Sequence, residues 1–416
     1  MASSPVALPS RPRFAQLPPL SLYVHIPWCI RKCPYCDFNS HEKKGELPEA
    51  QYVDALIADL EASLPDVYGR KLTTVFIGGG TPSLFAPASI ERLLTAVRTR
   101  IPFEFEAEVT MEANPGTFEA ARFRGYRDAG VTRLSIGVQS FDDAHLQAIG
   151  RVHGAAEAKR AVESALATYD TVNVDLMYAL PGQSLEGALA DVAQAVALGA
   201  PHISAYHLTL EPNTLFHRYP PKLPDDDLAA DMQLAIEAAL GGAGYEHYET
   251  SAFAKPGHRA RHNVNYWTFG DYLGIGAGAH GKLSFRDHVR REARQRAPKA
   301  YLEGALAGTA VQERHDVSPA QLPFEFLMNA LRLTEGFPVA LFSARTGLPI
   351  ATVERDLAAA ERDGLIARDL ERVWPTERGR HFLNDLLERF LDDDTAEAAT
   401  PVAHPINIAS LGKPPT

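Results

Sequence analysis

Six short apolar runs, rich in β-branched residues, recur along the first 210 residues, and an amphipathic pattern follows each of them. The runs are SLYVHIP (21–27), TTVFIGG (73–79), AEVTMEA (107–113), RLSIGVQ (133–139), TVNVDLMY (171–178) and HISAYHLTL (202–210). Between and after them, EAQYVDALIADLEASL, PASIERLLTAVRTR, EAARFRGYRDAG, HGAAEAKRAVESALA, EGALADVAQAVALG and DDLAADMQLAIEAALGGAG space their apolar residues as helices do. Alternation of the two periods is the pattern of βα units around a parallel sheet. Six units fall short of a closed eight-stranded barrel, so the expected fold is α/β, an open, TIM-like partial (β/α)6 barrel. In parallel barrels the chemistry lies where the strands end and the βα loops converge.

The polar residues of this chain collect at those ends. All three cysteines, Cys29, Cys33 and Cys36, follow the first run within HIPWCIRKCPYC, and GGGTP follows the second. Glu112 and Asn114 close the third, Gln139 and Ser140 the fourth, while Asp175 and His207 lie in the fifth and sixth. The spacing C-x3-C-x2-C puts three thiolates on one loop, enough for three corners of a cubane iron-sulfur cluster. Zinc needs a fourth ligand, for which His25 or His41 stands nearby, and three incidental buried cysteines are the plain alternative. An odd count builds no disulfide framework and fits a reducing compartment, the cytoplasm. Gly79, Gly80 and Thr81 leave an edge without bulky side chains, although a simple strand-to-helix turn reads the same way. No GK[ST] follows, so the loop is not a Walker motif. Tyr23, two residues before His25, is expected to line the mouth beside the cysteines.

From about residue 20 to 390, the segments HIPWC, CPYCDFNS, GGGTPS, MEANPG, RLSIGVQSF, GRVH, LMYALPGQ and YLGIGAGAHGK resemble the radical S-adenosylmethionine (SAM) superfamily. Within it they resemble the coproporphyrinogen-dehydrogenase-like branch. The resemblance implies a 4Fe-4S cluster on Cys29, Cys33 and Cys36, with one iron left open for the amine and carboxylate of SAM, whose reductive cleavage yields a deoxyadenosyl radical. It implies SAM contacts at Tyr23, Gly79, Gly80, Thr81, Glu112, Gln139, Arg151 and Asp175. Carboxylates suit ribose hydroxyls, and arginine suits a carboxylate.

Two groups make up that branch. The dehydrogenases carry a further cysteine two residues after the last cluster ligand and a longer N-terminal arm; here Phe38 takes that position and 28 residues precede Cys29. The haem chaperones carry HNxxYW, matched by His262, Asn263, Tyr266 and Trp267. An imidazole can ligate haem iron, and the aromatic pair offers flat apolar faces. The resemblance therefore implies a haem chaperone that binds the cluster, SAM and haem, with His262 as the iron ligand and no coproporphyrinogen dehydrogenase activity. Its partner would be a haem-accepting apoprotein, such as a respiratory enzyme, and a homodimer is a further expected assembly. The rival reading is the oxidative decarboxylation of coproporphyrinogen III, and a third is radical chemistry on another substrate. His280, in GAGAH, is read as structural.

The expected organisation is a loose lead-in (1–19), the radical SAM barrel (20–245), a strand-and-loop extension bearing HNxxYW (246–316), a winged-helix-like domain (317–390) and a disordered tail (391–416). Residues 317–390 hold nine Arg, no Lys and eleven acidic residues, and the whole chain carries a net charge of -11. Neither balance suits phosphate-backbone binding, so no nucleic-acid partner is expected. No apolar run reaches the roughly 18 to 20 residues of a membrane span, so no intrinsic anchor is expected.

Overall fold

In strand β1 (Leu20–Ile26), Leu20, Leu22, Val24 and Ile26 alternate with Ser21, Tyr23 and His25. Strand geometry sends these two sets to opposite faces. The aliphatic set joins the main core beneath the helices, while Tyr23 packs separately with Phe76 and Ala279 on the inner face. The same division holds in β2 (Leu72–Gly79), where Leu72, Val75 and Ile77 enter the main core. Strands β3 (Phe103–Ala113), β4 (Arg133–Gln139), β5 (Thr171–Tyr178) and β6 (His202–His207) complete the parallel series. The computed structural model describes residues 11–117 and 120–391. The first ten residues of the expected lead-in, and the expected tail from 392 onward, lie outside that range.

Helices α1 (Glu49–Ser63), α2 (Pro87–Arg100), α3 (Ala120–Ala129), α4 (Ala155–Leu166), α5 (Leu185–Ala197) and α6 (Asp226–Gly242) follow the six strands in turn. α1 buries Tyr52, Val53, Leu56 and Leu60, the stripe that an amphipathic helix lays on a sheet. The architecture is thus the open partial barrel of six βα units.

The extension after residue 245 belongs to the same sheet. Strands β7 (Glu246–Glu249) and β8 (Ala252–Ala254) add antiparallel to the β6 edge. Helix α7 (Arg261–Trp267) then crosses to the other side, where β9 (Asp271–Ile275) pairs parallel with β1. Strands β10 (His280–Ser284), β11 (Val289–Arg294) and β12 (Val311–Asp316) continue antiparallel, and α8 (Pro298–Leu306) lies between the last two. The order is β12-β11-β10-β9-β1-β2-β3-β4-β5-β6-β8-β7, so the first strand of the chain sits mid-sheet. The glycine-rich YLGIGAGAHGK is a strand pair and its turn.

The C-terminal domain has its own core. α9 (Leu322–Ala330), α10 (Val339–Thr346) and α11 (Glu354–Arg362) pack on a small antiparallel sheet of β13 (Phe337–Pro338), β14 (Ile366–Arg368) and β15 (Arg372–Pro375), a winged-helix arrangement. Two short helices, α12 (Glu377–His381) and α13 (Leu383–Glu388), follow. Phe326 meets Phe337 and Phe342 edge-on at its centre. Phe14 joins this core, Arg13 N–H donates to Gly347 O at 3.1 Å, and Arg11 pairs with Asp287. The described part of the lead-in is therefore seated rather than loose, because its aromatic residue finds an apolar groove. Among the described residues, no helix is long and apolar enough to cross a membrane.

Candidate functional site

At the C-terminal ends of the parallel strands a cavity of about 240 Å³ opens, and Cys29, Cys33, Cys36, Gly79, Gly80, Thr81, Glu112, Gln139, Arg151 and Asp175 all line it. Residues from five strand ends and the intervening loops thus meet, as the βα arrangement requires.

The three thiols are unbridged and partly exposed on the loop that leaves β1. Cys36 N–H donates to Cys33 O at 3.2 Å, which curls the loop, and Ser40 Oγ lies 3.6 Å from Cys36 Sγ. Burial pushes the Cys36 thiol up to about 11, so binding a metal here releases protons. His25 makes no fourth ligand: its Nε2–H donates to Asn39 O and its Nδ1 accepts from Tyr23 OH, each at 2.9 Å. Among the described residues, no three His, Cys, Asp or Glu side chains converge as a single ion would need. A cubane asks for one thiolate per iron corner, and this donor set fits it.

The glycine edge is a close approach of backbones. Gly79 has φ +114°, and a Cβ there would stand 2.5 Å from the His25 ring; at Gly80 it would stand 2.6 Å from Trp28 O. Neither position admits a side chain. Gly79 N–H donates to Glu112 Oε2 at 3.0 Å. Burial, then repulsion from Asp175, pushes the Glu112 carboxyl up to about 8. Burial raises Asp175 too, against bonds from Ser135 Oγ at 3.0 Å and Asn173 Nδ2 at 2.7 Å. Gln139 ends β4 at φ +71°, a left-handed conformation that L side chains adopt at some cost in strain. Arg151 reaches Gly137 O at 2.6 Å, Tyr35 OH at 3.5 Å and Cys33 Sγ at 3.6 Å. A fixed cation therefore stands beside the cysteines.

Two expected site residues lie elsewhere. Tyr23 does not line the mouth: it is one layer down, 4% exposed, stacked on Phe76 and supporting His25 from below. Its hydroxyl is spent on the imidazole, which makes it a strut. His262 lies deeper still, near the N-terminal ends of the strands. α7 plugs that floor, with Glu108 accepting from Arg261 N–H at 3.2 Å and His262 N–H at 3.1 Å. The His262 ring rests 5.0 Å from Phe76 and is 4% exposed. Its Nδ1–H donates to Thr74 Oγ1 at 2.8 Å, because that hydroxyl is itself committed to Ser21. Burial pushes His262 down to about 3, so the ring is neutral with its lone pair on Nε2. In the same motif Asn263 Oδ1 and Trp267 Nε1 are buried without a partner.

Several lining residues were not singled out from sequence: Tyr35, Ser135, Met177 and Tyr206. Counting by two from residues already chosen finds two of them, since Gln139 leads to Ser135 and Asp175 to Met177. Counting from His207 misleads, because the inward positions of β6 are His202, Ser204 and Tyr206; His202 Nδ1 and Ser204 Oγ both bond Asn173 Oδ1.

The partial barrel and its three-cysteine mouth define a radical SAM protein. Comparison agrees: the model of the Radical SAM superfamily matches residues 23–193, and that of the HemN C-terminal domain matches 317–382. The chain is 50% identical over 378 residues to the heme chaperone HemW of Escherichia coli K12, covering 90% of this chain and 99% of the relative. It is 49% identical to that of Haemophilus influenzae, covering 91% and 100%. The solved coproporphyrinogen III oxidase (HemN) of E. coli, described as a radical SAM enzyme, superposes with a TM-score of 0.77 at 24% identity, over 90% of both chains. That likeness concerns the fold. By its near full-length identity to these relatives, the chain belongs to the HemW family.

Proposed function

We propose that this chain is a haem chaperone, which binds haem and passes it to an acceptor apoprotein. The observation that carries the reading is 50% identity, running nearly end to end, with a relative named as a heme chaperone. Cys29, Cys33 and Cys36 would hold a 4Fe-4S cluster, and SAM would lie against Gly79, Gly80 and Thr81. Arg151 suits its carboxylate, Glu112 and Asp175 its ribose hydroxyls, and Gln139 a neighbouring polar edge. When bound, the cluster and SAM supply one-electron reductive chemistry. Phe38 lines the mouth where dehydrogenases of this branch carry a cysteine, which favours the chaperone over porphyrinogen decarboxylation. We place the protein in the cytoplasm, with a respiratory haem enzyme as the acceptor and a homodimer as its assembly.

The proposed iron ligand is His262. Its tautomer suits ligation, with Nδ1–H held by Thr74 Oγ1 and the lone pair on Nε2, and the unpaired Asn263 and Trp267 atoms mark the motif as short of partners. A buried ring meets no haem, so ligation requires α7 to leave the barrel floor. The test is anaerobic reconstitution, then haem titration and a deoxyadenosine assay side by side. A Soret band in the wild type that shifts or vanishes in His262→Ala supports the reading. An unchanged spectrum removes His262 as ligand, and absence of haem binding removes the chaperone. Conversion of coproporphyrinogen III would establish the rival.

A further inference from the structure

Beyond the end of β6 lies a second chamber, of about 70 Å³, enclosed by α6, the β6–β8 edge and the C-terminal domain. Tyr206 and His207 line both this chamber and the mouth. Arg332, Arg380 and His381 also line it. Nε and Nη2 of Arg332, Nε of Arg380 and Nε2 of His381 are shielded from water without a hydrogen-bond partner. A guanidinium cannot escape that penalty by losing its proton. Buried cations are ordinarily paired, so the Arg332 guanidinium, two of whose nitrogens lack a hydrogen bond at the chamber wall, calls for an anion.

Neither acidic neighbour hydrogen-bonds those Arg332 nitrogens. Glu237 accepts from Gln233 Nε2 at 3.0 Å and stands 3.9 Å from both His247 Nδ1 and His381 Nε2. Glu249 acts on Arg332 by charge yet keeps its own Oε2 unpaired, and burial pushes its carboxyl up to about 7 against that attraction. Arg332 is held in place meanwhile: its guanidinium lies over the Trp267 ring at 4.8 Å, and its carbonyl accepts from Thr250 N–H at 3.1 Å. The cation therefore joins the chamber directly to the helix that bears His262.

We propose that this chamber is a carboxylate subsite, in which Arg332, assisted by Arg380 and His381, receives the carboxylate arm of a ligand whose body stays outside. A volume of about 70 Å³ admits a carboxylate and its adjoining methylenes, not a macrocycle. Resting on the haem reading above, the source is a haem propionate; a small free carboxylate has the same chemistry.

The experiment titrates haem and haem dimethyl ester into the reconstituted wild type, Arg332→Gln and Arg380→Gln, with acetate as a second probe. The expected result is haem binding about 10-fold or more tighter than the ester in the wild type, a gap that closes in Arg332→Gln through weaker haem binding alone. The haem–ester comparison in the wild type needs no variant, so a misfolded variant does not spoil it. If haem and ester bind alike but acetate raises the melting temperature of the wild type and not of Arg380→Gln, the subsite stands and its ligand is a small carboxylate. Equal binding of haem and ester with no acetate effect overturns the subsite and leaves haem binding intact. Binding of neither porphyrin overturns the haem reading, and the acetate arm then decides the subsite by itself.

Discussion

Glu112 keeps a proton that an ordinary carboxyl would have lost at neutral pH. Its carboxyl is raised to about 8 by burial and by Asp175, so the folded state binds a proton that the unfolded chain has released above about pH 4.5. Stability is full below that value and is lost as pH rises toward 8. Glu112→Gln is therefore expected to stabilise the ligand-free protein by about 1–3 kcal/mol at pH 8.5 and by little at pH 4.5. Urea midpoints at the two pH values check this. The same change should weaken SAM binding at pH 8.5, read by calorimetry, if the carboxylate receives the ribose hydroxyls. How far such residues could be read beforehand depended on what fixes them. Gln139 and Asp175 stand at strand ends that periodicity locates, whereas the depth of Tyr23 depends on the His25 ring above it and the Phe76 ring beside it.

Between residue and molecule, two elements are held in place by single side chains. The seven residues of α7 are too few to be stable alone; the Glu108 carboxylate, accepting from two of the helix's first N–H groups, anchors them. Glu108→Ala is expected to cost about 1–2 kcal/mol and to speed hydrogen exchange first in residues 261–267. If α7 must lift for haem to reach His262, the variant also takes up haem faster, which stopped-flow absorbance would detect. The cysteine loop is clamped from the other side. Asn39 Nδ2 donates to Ala277 O and Arg296 O, each at 2.9 Å. Asn39→Ala leaves both carbonyls without that donor, and lower iron content per chain after reconstitution is expected, measured against wild type at equal protein. This clamp was not legible in the sequence: it joins residues more than two hundred positions apart, and the glycines of YLGIGAGAHGK hide the strand pair. They are required by contact, since a Cβ at Gly274 would fall 2.0 Å from His280 O.

Across the whole molecule, the extension and the barrel act as one body. Asp59 on α1 accepts from Arg294 Nε of β11 at 3.0 Å and from Tyr301 OH of α8 at 2.9 Å, with all three buried. Asp59→Ala leaves a buried guanidinium short of its partner, and a loss of about 3–5 kcal/mol is expected, with far-ultraviolet dichroism and tryptophan fluorescence falling together in urea. Separate transitions would show that the extension unfolds independently. The six βα units were readable because each is local: strand, turn and helix lie within a few dozen residues. The stretch FRDHVRREARQRAPK was not, because its charges suggest solvent while Arg291 and Arg294 are buried against Glu325, Asp59 and Glu292.

The central position of β1 has a consequence during synthesis. Leu22 pairs on one side with Val75, about fifty residues later, but on the other with Leu273, about 250 residues later. At roughly 5–20 residues per second, one edge of the emerging sheet stays open for about 12–50 s while the ribosome completes the rest. An open edge invites pairing with another chain. The nascent polypeptide is thus most vulnerable to aggregation, and most in need of a protecting factor, in the interval before its final strands arrive.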